Sequence, residues 1–388
     1  MVAYAALREL IPLFPVYALL FTDAGLSTGQ VSSLFIIWSA THVLLEVPSG
    51  AWADTVPRRR LLVLGAALYT GCFALWTAVP TYAAFAGGFV LWGLSGSLVS
   101  GTYEAYVYDH LHARAATASY RRVIAAGETS ALVLNLVATA AAAPIVALWG
   151  LVGAGWASVL VGAGATALAV TLPPDAPRSH LGVDEVQAPG GYLAMLRAGL
   201  AESLHPRVAR AVLLAALVPA FLAFDEYFGL LAVDVGASLA WVPLLVALTV
   251  AAQAVGAALA PRLPMHRLGP VLVGAGLLVA AGAATKPSGR AVAVAIGYGA
   301  LQAAIVVAET DLQHRIEGRA RATVTSVSGL LSELGAIGLY AFVALGSAAA
   351  STATLIAILS IVVAVGGLVA ARAYPETWRK PTDSPGRS

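Results

Sequence analysis

Apolar residues run along this chain in long unbroken blocks. Twelve such blocks stand out, roughly at 4–22, 30–50, 60–79, 82–104, 122–146, 150–172, 207–231, 237–260, 267–284, 289–311, 321–346 and 351–372. A bilayer hydrocarbon core of about 30 Å needs about 20 mostly apolar residues per helix, so each block predicts one membrane crossing. Short polar or Gly/Pro-bearing segments separate them, for example Thr22-Asp23-Ala24-Gly25 and Lys286-Pro287-Ser288-Gly289. A transmembrane barrel is excluded, because its strands would alternate apolar and polar positions. The first block starts almost at Met1, carries Arg8 and Glu9, and has no small-residue cleavage site, so it reads as a crossing and not as a cleaved leader.

Basic residues orient the crossings. With the N-terminus inside, 20 of the 22 Lys and Arg residues fall in cytoplasmic segments, and only Lys286 and Arg290 fall outside. The positive-inside rule makes that bias a topology signal. It supports an even number of helices with both termini cytoplasmic. The longest polar interruption, 173–206, holds Pro173, Pro174, Pro177, Pro189, Gly190 and Gly191. The organisation expected is a six-helix bundle over 1–172, a cytoplasmic linker over 173–206, a second six-helix bundle over 207–373 and a cytoplasmic tail over 374–388. The halves repeat faintly. Tyr108-Asp109-His110-Leu111 followed by Arg121-Arg122 has a counterpart in Thr310-Asp311-Leu312-Gln313 followed by Arg315, Arg319 and Arg321. Paired six-helix halves around a midplane cavity are one architecture of secondary transporters.

Composition narrows the class. The 388 residues are 59% hydrophobic and 11% charged, against about 25% charged in a soluble domain. Too few charges remain to cover a water-exposed surface, and a disordered chain would show the opposite balance. The one cysteine, Cys72, excludes a disulfide framework and a multi-cysteine metal site. A formal net charge of +2 gives no reason to expect nucleic acid. Metalloprotease, phosphate-loop, redox and serine-hydrolase motifs are all missing, so neither a cofactor, an enzyme active site nor an ATP-driven pump is expected.

Between the second and third blocks the chain reads Gly50-Ala51-Trp52-Ala53-Asp54-Thr55-Val56-Pro57-Arg58-Arg59-Arg60. This resembles the signature loop of the major facilitator superfamily, roughly G-x-L-A-D-R-x-G-R-R/K, with Thr55 and Pro57 departing from it. Glu46-Val47-Pro48-Ser49 and Tyr103-Glu104-Ala105-Tyr106-Val107-Tyr108-Asp109 look like the paired runs of a prokaryotic branch of that superfamily. The resemblance implies an all-α membrane protein in the cell inner (plasma) membrane. Its two pseudo-symmetric bundles would alternate access to a small-molecule substrate. The expected form is a monomer in the lipid bilayer, exporting an amphipathic compound in exchange for protons. The alternatives are an uptake carrier for a sugar or other metabolite, or a membrane sensor that transports nothing. Helix 4 lacks the arginine at depth, and helix 5 the glycine-proline run, found in many proton-coupled drug exporters of the superfamily.

Charges beside and within the spans supply the candidate chemistry. Asp54 with Arg58 or Arg59 is expected to pair with Asp109 or Glu104 and latch the cytoplasmic face, Gly50 and Asp311 marking the same device in each half. Such pairs bias which state is favoured. Arg60 is read as a headgroup anchor. Ionisable groups at depth default to function. Glu333 is expected near the midplane as a proton-coupling group, with Arg8 or His42 as its nearest basic partners in type. Asp225 and Glu226 are adjacent and so cannot share a helix face; one is expected in the cavity and the other at the outer interface. Glu128 is expected to work in the cavity or to pair with Arg8 or Arg122. Asn135 and Gln302 are polar without charge and read as interhelical bonds or substrate contacts.

Overall fold

The computed structural model describes residues 1–176, 201–234, 236–284, 290–316 and 321–373, with the backbone alone at 46–51, 53, 54, 206, 207, 284, 290, 321, 322 and 373. The tail over 374–388 and most of the linker lie outside the described residues. Every regular element among the described residues is helical. In lipid each backbone N–H and C=O must find its partner inside the segment, and a helix does that without help from neighbours.

Ten helical stretches are long and apolar enough to cross a membrane. Two predicted regions take a different form. The blocks at 122–146 and 150–172 join in one helical run, Tyr120–Val170, which breaks at Gly150 (φ 66°, ψ −171°). That backbone region is essentially closed to residues with a Cβ, so the glycine breaks one long run into two helical halves without a loop. The first block comes in pieces: α1 (Val2–Arg8), a 3-10 turn (Phe14–Val16) and α2 (Tyr17–Asp23). Pro12 and Pro15 sit at the interruption, and a proline has no N–H for the helical ladder.

The other helices follow their blocks, two of which, 82–104 and 207–231, are interrupted within. They are α3 (Thr28–Thr55), α4 (Arg58–Ala78), α5 (Tyr82–Val99) and α6 (Thr102–His112), the long run α7 (Tyr120–Val170), then α8 (Pro206–Leu222), α9 (Phe228–Asp234), α10 (Val242–Leu259), α11 (Leu268–Ala284), α12 (Arg290–Arg315), α13 (Arg321–Gly346) and α14 (Thr352–Ala373). α3 begins at a capping box, in which Gln30 N–H donates to Ser27 Oγ at 3.3 Å and Ser27 N–H to Gln30 Oε1 at 2.9 Å. Between α5 and α6, Gly101 takes φ 70°, so the fourth predicted span bends before its acidic end. Between α8 and α9 the chain tightens into a 3-10 turn, Ala223–Tyr227.

The described residues fall into two compact units, and these do not follow chain order. The first holds Met1–Leu196, Phe224–Ala247 and Glu333–Thr352; the second holds Arg197–Ala223, Leu248–Ser332 and Ala353–Ser388. The first is built on α1, α3, α4, α5 and α7, with a core of aromatic rings in which Trp76, Phe21, Phe73, Phe85 and Phe89 are fully buried and Cys72 is buried beside them. The second packs α8, α11, α12 and α14 through small residues. A Cβ on Gly276 would meet Ala364, and one on Gly367 would meet Val273, so α11 and α14 approach at backbone distance. Val208, Ala211, Val212 and Ala215 of α8 close on Leu312, Ile316 and Val324. Large apolar side chains remain on the outside, Leu160 at 74% and Leu345 at 82% exposure. An exterior of this kind requires a lipid surrounding.

Candidate functional site

Three places in the first unit gather polar chemistry. Two lie at opposite ends of α3, a helix of 28 residues and so about 42 Å long at 1.5 Å per residue.

At the Thr55 end, Arg58 forms an ion pair with Asp109 and donates to the carbonyl of Ala105 at 3.3 Å. Asp109 is buried, and its position follows from the bend at Gly101, which turns α6 across the start of α4. Arg59 donates from its side chain to the carbonyl of Val170 and from its backbone N–H to Asp175 Oδ1 at 2.9 Å. Tyr106 donates to the carbonyl of Pro173 at 2.7 Å, and His110 Nε2 lies 3.0 Å from that of Pro174. The end of α7 and the first linker residues are thereby tied to α4 and α6. The expected pairing of an arginine with Asp109 is present. Glu104 takes no part in it and turns toward a cavity described below. The side chains of Gly50 and Asp54 lie outside the described residues, with their backbone helical. Arg60 is exposed, as a headgroup anchor would be. Asp175 has no distinguishing signal in the sequence beyond its proline-rich setting. In the second unit, Asp311 pairs with Arg315 one turn on at 2.6 Å, and Gln313 donates to Thr325 at 2.9 Å. Gln302 is half-buried in α12 of that unit.

At the Ser27 end, acids meet phenols. Tyr17 donates to Glu226 Oε2. Tyr227 donates to Ser32 Oγ at 2.8 Å. Phe35 packs on Tyr227 and Tyr340 with ring centroids 5.4 and 5.3 Å apart. Asp225 lies close enough for its charge to act on both Tyr17 and Tyr340, and the charge of Glu333 acts on Tyr340. Asp225 and Glu226 stand in a 3-10 turn, where successive side chains are about 120° apart; both are half-buried, and the charge of each acts on Tyr17 and Tyr340. The tyrosines were missed as site residues. In the sequence Tyr17 and Tyr340 look like any aromatic in a membrane helix, and the contact spans 209 positions.

The third place is a cavity of about 290 Å³, with Tyr4, Arg8 and Glu9 from the first helix, Tyr103 and Glu104 from α6, and Glu128 from α7 in its wall. Arg8 lies over the rings of Tyr4 and Tyr69, 6.0 and 5.6 Å from their centroids. Glu9 is hydrogen-bonded by Asn135. Among the described residues Glu128 forms no ion pair with Arg8 or Arg122; it shares the cavity with Arg8 instead. His42 stacks edge-on to Trp38 at 5.6 Å and backs onto Gly96, at the margin of the same cavity. Glu9 could have been found from the sequence, since it is the acid beside Arg8 within the first block.

No curated protein matches the sequence. Among solved structures, the nucleoside transporter NupG superposes with TM-score 0.72 at 13% identity, covering 96% of this chain and 96% of that one. A bacterial homologue of the human lysosomal transporter Spinster, inward-facing and occupied, gives TM-score 0.72 at 16% identity over 98% and 97%. A D-xylose–proton symporter gives 0.65 at 14% over 97% and 97%. At these identities the likeness establishes the fold. The sequence itself matches the Major Facilitator Superfamily over residues 2–339. With that match added to the helical architecture, the chain belongs to the major facilitator superfamily and is a multi-pass membrane transporter, not an enzyme.

Proposed function

We propose that the protein is a proton-coupled secondary transporter that exports a small amphipathic organic compound by alternating access. In this reading it crosses the plasma membrane twelve times with both termini cytoplasmic. The Arg58 end of α3 is then the inner end and the Tyr17 end the outer one. The observation that carries the coupling is the hydrogen bond from Tyr17 to Glu226 at the outer end. A phenol bonds a carboxylate about twice as strongly as it bonds a neutral acid. Proton uptake by Glu226 therefore loosens the contact that holds α2 to the Ala223–Tyr227 turn, and proton release tightens it. A bias of a few kcal/mol is enough to move a two-state carrier.

Export is favoured by the scarcity of polar groups along the spans. Uptake of a metabolite is the second reading, supported by the likeness to a nucleoside transporter and a D-xylose–proton symporter; few mid-helix amides count against a sugar.

The test is proton movement in sealed proteoliposomes carrying an internal pH dye, against lipophilic cations, sugars and organic acids. Direction follows from the gradient that drives uphill movement. In Glu226→Gln, substrate exchange is expected to continue while proton movement stops. Proton movement unchanged by Glu226→Gln removes that residue as the coupling group, and Glu333→Gln then tests another acid whose charge acts on Tyr340.

A further inference from the structure

The cavity among α1, α6 and α7 has a charge and a shape of its own. Three carboxylates, Glu9, Glu104 and Glu128, share its wall with one guanidinium, that of Arg8. Arg8 lies over two tyrosine rings, with its Nε without a hydrogen-bond partner among the described residues, and Glu9 is held by Asn135. With three acids to one guanidinium in the wall, the balance of charge offered to a ligand is negative. A second observation is independent of the acids. Tyr103 is nine-tenths buried, lines the cavity, and its hydroxyl has no hydrogen-bond partner among the described residues. That hydroxyl lies 3.2 Å from where a Cβ on Gly127 would stand, and Gly127 also lines the cavity, so the oxygen is at the cavity wall. A buried hydroxyl without a partner is costly, and a ligand carrying an N–H donor would supply one.

We propose that this cavity is the binding site for the ammonium group of a small organic amine. Glu104 and Glu128 attract the charge, and the oxygen of Tyr103 accepts one N–H. Val99 and Ile124, also in the wall, give the apolar body of the ligand a surface. The volume is at the lower end of the range for small-molecule sites, which favours a single-ring amine over a large drug. An organic anion is disfavoured because acids outnumber the one guanidinium in the wall.

This inference rests on the transporter reading, and one set of probes separates the two. Full-length protein in detergent is titrated calorimetrically with 2-phenylethylammonium, the neutral 2-phenylethanol and the anion 3-phenylpropanoate. The ammonium is expected to bind at least tenfold more tightly than either other probe. Glu104→Gln/Glu128→Gln is expected to remove that preference. Tyr103→Phe, which keeps the ring and its packing, is expected to weaken the ammonium several-fold and leave 2-phenylethanol unchanged. Thermal unfolding shows that each variant is folded. Equal binding of the three probes, preference for the anion, no binding of the ammonium, or an ammonium affinity untouched in both variants overturns the proposal. Selective binding of the ammonium without flux in proteoliposomes would sink the transport reading and leave the site standing. Proton-coupled flux of a sugar or an anion with no response to the amine would do the reverse.

Discussion

The two ends of α3, inner and outer in the orientation proposed above, are held by different chemistry. At the inner end the fastening is a fixed charge, Arg58 on Asp109, reinforced by arginine, tyrosine and histidine contacts to carbonyls of the α7 terminus and the linker. At the outer end it is hydroxyl groups against an acid and against each other, set among aromatic rings. The inner fastening pairs an arginine with a buried aspartate. Its strength comes from burial and geometry. The outer fastening has one member, Glu226, whose charge can come and go, and a phenol partner that stays neutral. Under the proposed coupling, a carrier built this way would be switched mechanically at its inner end and chemically at its outer end.

The strongest attack on that comparison is at the inner end. Asp109→Asn leaves the charge of half-buried Arg58 uncompensated, and the expected loss of stability is about 3 kcal/mol, read from thermal unfolding in detergent. Arg58→Gln/Asp109→Asn is expected to recover a good part of it. A double variant as unstable as the sum of the singles would show that the two residues do not act as a pair. The next effect is at the outer end. Tyr17→Phe removes the donor to Glu226 and is expected to cost about 1.5 kcal/mol of the contact. The measurement is the pH dependence of labelling at Ala24→Cys, an exposed outer position. Labelling that varies with pH in the parent and becomes flat after Tyr17→Phe sharpens the comparison, and equal pH dependence in both breaks it. Ser32→Ala is expected to be the mildest, about 1 kcal/mol, with the pH response retained. Loss of that response in Ser32→Ala would move the switch from Glu226 to Tyr227.

Much of the scaffold was legible in the chain. Block edges and helix ends agree within a few residues from α10 onward, because the bilayer fixes length and hydropathy marks it. The pairing of Arg58 with Asp109 was also legible, since both stand at polar interruptions where a charge needs a partner. The outer cluster was not. Its members are tyrosines with no pattern to set them apart, and its acids come from a turn that the sequence presents as continuous helix. Pro219 marks α8 as irregular, but nothing in its spacing says that the next turn becomes 3-10. The cavity was half visible: Arg8, Glu104, Glu128 and Asn135 were singled out separately, and Glu104 parts company with Asp109 because a separation of five residues on one helix puts them on different faces.

Cys72 was first informative for what it excluded, and its burial gives it a second use. A thiol with 0% exposure in the aromatic core is shielded from reagents that need an accessible thiolate. Any cysteine introduced at the surface would thus carry a spin or fluorescent label against a silent background, without removal of the native residue. Paired labels at the two ends of α3 and their partner helices would turn the chain into its own ruler, reporting in one molecule whether outer and inner distances change in opposite senses as substrate and pH are varied.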